Sequence, residues 1–303
     1  MVIPVTRVMQ EDQELVRGFL REFVSRLAAE HDIDFILLFG SAARGEWRRG
    51  VSDVDMIIQV KRQEDKERVR EHAEKLFWSL DRKYGTRFRE ACSTGDEAQG
   101  KVEELLKMGQ RKVRLYAPFE VLGPEDVDWR RGEFRDPFFR VGLDLMAPKY
   151  LILAKMKTEG RILYGRDVTR EIRLRVSWFE RLKAILVPHH LSFLSVLVSP
   201  FAPRMAVKMA IKAAIYSVES CLFYLRKPIG RGIDAALLEL EHELGRSRYV
   251  SAEPFRRAYE LKYAISDLDV GRWESVKFCA RIFYEVVKLN WWAVLSKLGQ
   301  RLK

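Results

Sequence analysis

The chain has 303 residues, 48% hydrophobic and 32% charged, with a formal net charge of +11; it is too apolar for a disordered polymer and longer than one hydrophobic core usually serves. Residues 184–202 are its nearest approach to a membrane span, and Pro188, His189, His190 and Pro200 interrupt them, which argues against a transmembrane helix. The three cysteines, Cys92, Cys221 and Cys279, are odd in number and far apart, so neither a disulfide framework nor a zinc site built on cysteine pairs is expected.

Residues 11–30 place Leu15, Phe19, Phe23 and Leu27 at steps of four, with Val16, Leu20 and Val24 beside them; the spacing predicts an amphipathic helix. The apolar run from Ile33 to Phe39, closed by Gly40, and the run from Val51 to Val60 both predict strands. Helical spacing returns at Val69, Ala73, Leu76, Phe77 and Leu80 and stops near Gly85, as a glycine beyond a helix end allows. Thr86 to Ser93 is a third strand candidate, and a further strand is expected within Lys112 to Leu122. Helices alternating with short strands predict a layer of helices on a small sheet.

Gly123, Pro124, Gly132, Pro137, Gly142 and Pro148 concentrate breakers in residues 123–148, the composition of a connection between units. From Tyr150 onward the pattern is helical, with a further break expected around Pro188, Pro200 and Pro203. Val207, Ile211, Ala214, Ile215, Val218, Leu222 and Leu225 form one helix face, and Cys279, Ile282, Phe283 and Val286 another, which together predict a helical bundle. The expected division is therefore 1–122, a connector at 123–168, and 169–303. Charge is unequally shared: residues 1–95 hold 17 basic and 17 acidic side chains, leaving 37 (54 − 17) against 26 (43 − 17) for the remainder. A basic second half suits an anionic partner such as RNA, although scattered cations also simply solvate a surface. The first residues carry no long apolar stretch ahead of a cleavage site, and a cytoplasmic location is the expectation.

The chemistry-bearing segment reads Phe39-Gly40-Ser41-Ala42-Ala43-Arg44-Gly45, then Ser52-Asp53-Val54-Asp55-Met56. A strand running through Gly-Ser into a short helix presents backbone N–H groups and a hydroxyl where phosphate oxygens are favoured. Gly40 lets the backbone approach closely, Ser41 adds a donor, and Arg44 is positioned to pair with the same anion or to stand as a solvated charge. Asp53 and Asp55 are two apart on the expected strand, so both carboxylates point to one face, about 6.6 Å apart along the chain. Two acids on one face repel each other unless a divalent cation neutralises them.

This arrangement, a hydrophobic strand, Gly-Ser, about ten residues, Asp-x-Asp and a second hydrophobic strand, resembles the signature of the polymerase-beta-type nucleotidyltransferase superfamily. That superfamily includes antibiotic adenylyltransferases, CCA-adding enzymes, poly(A) polymerases and the minimal nucleotidyltransferases of toxin–antitoxin pairs. The resemblance spans residues 35–60 and implies an α+β fold, in which a mixed-sheet nucleotidyltransferase domain precedes a C-terminal helical bundle. It further implies Mg²⁺ as cofactor, held by Asp53, Asp55 and a third acid, with Gly40 and Ser41 on the triphosphate of an NTP, ATP foremost. Glu90, alternating with Phe88 and Cys92, is the expected third acid, and Glu120 is its rival. The implied reaction moves a nucleoside monophosphate, AMP, onto an acceptor hydroxyl on a small molecule, a protein or RNA. A second similarity lies in Glu159-Gly160-Arg161-Ile162-Leu163-Tyr164-Gly165, like the glycine and Leu-Tyr-Gly segment that follows the core in antibiotic-type members. A non-catalytic nucleotide- or RNA-binding module and an antitoxin-like regulatory partner stand as alternatives. The spacing of Arg26 and His31 matches an RNase motif of helical partner proteins but lies ahead of the first strand, in the wrong domain; His189, His190 and His242 lack ligand-spaced partners; and Trp291-Trp292 fits a docked helix.

Overall fold

A computed structural model describes residues 5–88, 118–136, 149–174, 176–227, 232–245, 247, 249–264 and 270–301. The architecture is α+β, with a mixed sheet towards the N-terminus and helices beyond it. Contacts divide the chain into two units, the first taking in the described residues up to 88, 118–136 and 153–174, the second those from 176 onward together with 149–152.

In the first unit, α1 (Val5–Glu30) leads into β1 (Ile33–Phe39), the five-residue α2 (Gly40–Arg44), β2 (Asp55–Val60) and α3 (Lys66–Tyr84). Then come β3 (Phe119–Leu122), the short pair β4 (Val127–Asp128) and β5 (Glu133–Phe134), α4 (Lys149–Glu159), whose first four residues fall in the second unit, and β6 (Arg161–Gly165). The main sheet has the order β3-β2-β1-β6. β1 is antiparallel to both β2 and β6, whereas β2 and β3 run parallel. One core joins the sheet to the helices: Val16, Phe19, Phe23 and Leu27 of α1 meet Val69, Ala73 and Phe77 of α3 over Ile36, Met56 and Ile58. These are the residues the spacing selects, because steps of three and four keep one helical stripe towards the sheet. On the opposite sheet face Trp129 covers Phe35 at a 5.6 Å ring separation and donates from Nε1 to Gln59 at 2.6 Å.

Two expectations need correction. Thr86 to Ser93 does not begin as a strand: Gly85 and Arg87 adopt left-handed backbone at φ of 61°. Asp81 then accepts hydrogen bonds from Thr86 Oγ1 at 2.6 Å and the Phe88 N–H at 3.0 Å, turning the chain so that Phe88 is buried against Phe19 and Phe77. Residues 89–93, including Glu90 and Cys92, lie outside the described residues.

The second correction concerns Pro188. In the second unit α5 (Trp178–Val198), α6 (Pro203–Leu225), α7 (Ile233–Leu244), α8 (Glu253–Ala264) and α9 (Arg272–Arg301) pack around α6. Pro188 sits inside α5 without ending it, and the break falls at residues 199–202, with Pro203 in the first turn of α6. Proline has no N–H to donate to the Ala184 carbonyl one turn back; the adjacent Ile185 carbonyl accepts from His189 Nδ1 at 3.0 Å and from Asn290 Nδ2 at 3.1 Å. Among the described residues α5 alone has the length and apolarity to cross a bilayer, and 39% of its most apolar stretch is buried inside the protein.

Candidate functional site

The first strand ends where the backbone must turn sharply. Gly40 has φ of +74°, a left-handed conformation that glycine adopts without a Cβ penalty. Phe39 pairs with Asp55 across the β1–β2 ladder, which brings the Asp55 carboxylate against Gly40: a Cβ built there would lie 2.3 Å from Asp55 Oδ2. Glycine is thus required twice, for its φ and for the space that the acid occupies. Ser41 follows in the first turn of α2, half-buried, while Ala42 and Ala43 anchor the helix in the core.

The stretch from α2 to β2 is held from below. Trp47 is fully buried, donates from Nε1 to the Ser52 carbonyl at 2.9 Å, and its own carbonyl accepts from Gln13 Nε2 at 2.8 Å. Ser52, Val54 and Met56 are buried while Asp53 and Asp55 are half-buried, so period-two alternation begins ahead of the strand and places both acids on the less buried side. Asp53 lies two residues before β2 rather than inside it. Among the described residues Asp53 has no hydrogen bond or ion pair.

Half-buried carboxylates beside a glycine bend fit a hard divalent cation: oxygen donors are what Mg²⁺ takes, and the negative field lacks a protein cation at Asp53. Asp53 and Asp55 are the residues that could hold such an ion. Gly40 leaves the space that the Asp55 carboxylate fills.

Arg44 is differently engaged from a free phosphate contact. Its Nε donates to Glu46 Oε2 at 2.8 Å and its Nη1 to Glu159 Oε2 at 2.6 Å. The Glu159 side chain is only 2% exposed. Burial works against the charge on Arg44, but Glu159 and Glu46 outweigh it and raise the guanidinium pKa. Arg44 therefore ties the base of α2 to the end of α4. The following segment is equally constrained. Gly165, at φ of +74°, passes so close to β1 that a Cβ would lie 1.9 Å from the Asp34 carbonyl oxygen. Arg166 then closes on Asp34 at 2.7 Å and on Glu171. Tyr164 stays 40% exposed on β6.

Glu120 pairs in register with Ile57 on the parallel strand, which gives it the same face as Asp55. Its carboxylate, however, accepts from Arg70 Nη2 at 2.9 Å, and the same guanidinium nitrogen donates to the Val121 carbonyl at 3.0 Å. Burial pushes the Glu120 pKa up, and the Arg70 charge only partly offsets this. Nearby, Lys66 Nζ is buried between Asp126 at 2.7 Å and Asp136 at 2.6 Å, fastening the segment after β3 to the start of α3. Sequence reading passed over Glu159, Lys66 and His72. Glu159 carried one signal, its place immediately before Gly160.

Residues 19–116 match the nucleotidyltransferase domain family. No curated protein and no solved structure matches the chain.

Proposed function

We propose, on the premise that residues 19–116 are a nucleotidyltransferase domain, that this protein transfers AMP from ATP to an acceptor hydroxyl with Mg²⁺ as cofactor. The observation that carries the reading is Asp55 lying against Gly40, with Asp53 half-buried and without a protein cation. Gly40 and Ser41 would cradle the triphosphate through backbone N–H groups and the hydroxyl. Asp53 and Asp55 would hold the divalent ions, which supply charge neutralisation on the phosphates and the leaving pyrophosphate. A third carboxylate would accept the proton of the attacking hydroxyl. Glu90 is our candidate for it, because Arg70 already engages Glu120. Arg44, clamped between Glu46 and Glu159, would set the position of α2 beneath the bend.

The test is incubation of the full chain with each α-labelled nucleoside triphosphate and Mg²⁺, with RNA, protein and small-molecule fractions as acceptors. Label from ATP is expected in one fraction, lost in the Asp53→Ala/Asp55→Ala double variant and in Glu90→Gln, and retained in Glu120→Gln. Label that persists in the double variant would remove the proposed site.

A further inference from the structure

Away from the Gly40–Asp55 site, the end of α1 meets the flank of α3, and two imidazoles come together there. His31 Nε2 lies 2.7 Å from His72 Nδ1, with ring centroids 4.9 Å apart. The Glu30 carboxylate stands 3.6 Å from the same His72 nitrogen. One donor atom from each of Glu30, His31 and His72 lies within 4.8 Å of the other two. The backbone beneath is fixed: His31 N–H donates to the Leu27 carbonyl at 3.1 Å, and the Ile33 N–H to the His31 carbonyl at 3.0 Å. Leu27 and Ala73, flanking the cluster, are fully buried.

Three features separate this cluster from a chance surface contact. His31 Nδ1 is buried without a hydrogen-bond partner, so Nε2, aimed at His72, is the ring's one productive polar atom. Among the described residues Glu30 pairs with no lysine or arginine, its sole ionic neighbour being His72. Two ring nitrogens from separate segments also face each other at 2.7 Å and converge with a Glu30 carboxylate oxygen within 4.8 Å, so an ion seated among them takes a lone pair from each residue. A second cluster, Glu239, His242 and Glu243, is weaker: His242 is 82% exposed, and Lys227 already holds Glu243 at 2.6 Å.

We infer that Glu30, His31 and His72 form a site for a Zn²⁺-type cation, bound through His31 Nε2, His72 Nδ1 and a Glu30 carboxylate oxygen. Two nitrogens and one carboxylate suit zinc, with water completing a tetrahedron. Metal–nitrogen bonds of about 2.0–2.1 Å require the two nitrogens roughly 3.3 Å apart, so the 2.7 Å contact opens by about half an ångström, a change small enough for side-chain rotation. The bound ion would pin the C-terminal end of α1 to α3. It is independent of the proposed transferase site, which uses hard oxygen ligands from a different part of the sheet.

Titration of metal-free full chain with Co²⁺ tests this, because tetrahedral nitrogen and oxygen ligation gives a strong visible band that an octahedral oxygen site lacks. The expected result is a saturable band at one equivalent, abolished by Zn²⁺, and a rise in the unfolding temperature with Zn²⁺. His72→Gln, on a partly exposed helix position, should lose both signals while keeping the wild-type far-UV spectrum. Glu30→Gln, exposed and compatible with folding, should weaken binding by at least the roughly tenfold that outer-shell partners are worth. Asp53→Ala/Asp55→Ala and His242→Gln should keep the band. No saturable band in the wild type, or a band that survives His72→Gln, overturns the assignment.

Discussion

A single methyl group at position 40 probes the bend, because it meets two obstacles at once: φ of +74° and an Asp55 oxygen 2.3 Å away. Gly40→Ala is expected to keep the fold at a cost of about 1 kcal/mol or more from the left-handed backbone. It should also push the carboxylate from its position, and a displacement on the order of 1 Å can cost roughly a hundredfold in rate. Label transfer measured beside thermal unfolding checks both, and wild-type transfer by a folded Gly40→Ala variant would contradict the placement of Asp55. Glu120 offers a pH test. Its folded pKa is raised, chiefly by burial, above the ordinary 4.5, so the fold favours its protonated form. The associated stability is complete below about pH 4.5 and is lost as pH rises through the raised value. Glu120→Gln imitates the protonated state, and the pH dependence of its unfolding free energy should be shallower than the wild type's over that window. Parallel curves would show that Glu120 titrates alike in the folded and unfolded chain.

Helix faces were legible because they are repeated: Phe19, Phe23 and Leu27 on α1 and Val69, Ala73 and Phe77 on α3 each state the same period several times, and all are buried. β1 and β2 were readable for a related reason, as apolar runs closed by a glycine or opened by paired acids. β6 was not, because Arg161–Gly165 is an edge strand of half-exposed and exposed residues with no alternation to read, and its pairing with β1 depends on Gly165 approaching Asp34. Nor was the clamp of Arg44 on Glu159, which joins residues 115 apart and exists only after folding. α5 was misread at Pro188 because proline signals a break locally, whereas this one lies buried inside a helix that continues through it. Asn290, the one asparagine of the chain, donates to the Ile185 carbonyl at 3.1 Å and accepts from Ser217 Oγ at 3.2 Å. Asn290→Leu leaves the buried Ser217 hydroxyl without this partner, while His189 Nδ1 still reaches the Ile185 carbonyl at 3.0 Å, and should cost about 1–3 kcal/mol. Chemical denaturation of the wild type and the variant measures this, and an unchanged unfolding free energy would show that the Ser217–Asn290 bond adds nothing to stability.

Each unit carries its own hydrophobic core, one built on α1, α3 and the sheet, the other wound about α6. Composition anticipated more than one core, and a strand within Lys112 to Leu122 was expected where β3 lies, but not that residues 161–165 return to the first sheet as β6, since strand order is a property of long-range pairing. The charge distribution adds to this picture: the residues before 96 are balanced at 17 against 17, and the rest supply the whole excess of +11. The excess therefore lies in residues shared by both units, since 110–140 and 153–175 belong to the first, and it suits an anionic partner without assigning one to either unit. The proposed transfer depends most on a cation lying between Asp53 and Asp55 beside the Gly40 bend. A crystal structure of the full chain with Mn²⁺ and a non-hydrolysable ATP analogue measures this directly through anomalous scattering. Manganese bound by both carboxylates, with the triphosphate against Gly40 and Ser41, is the predicted result; a nucleotide seated elsewhere, with no anomalous peak at those acids, would contradict it.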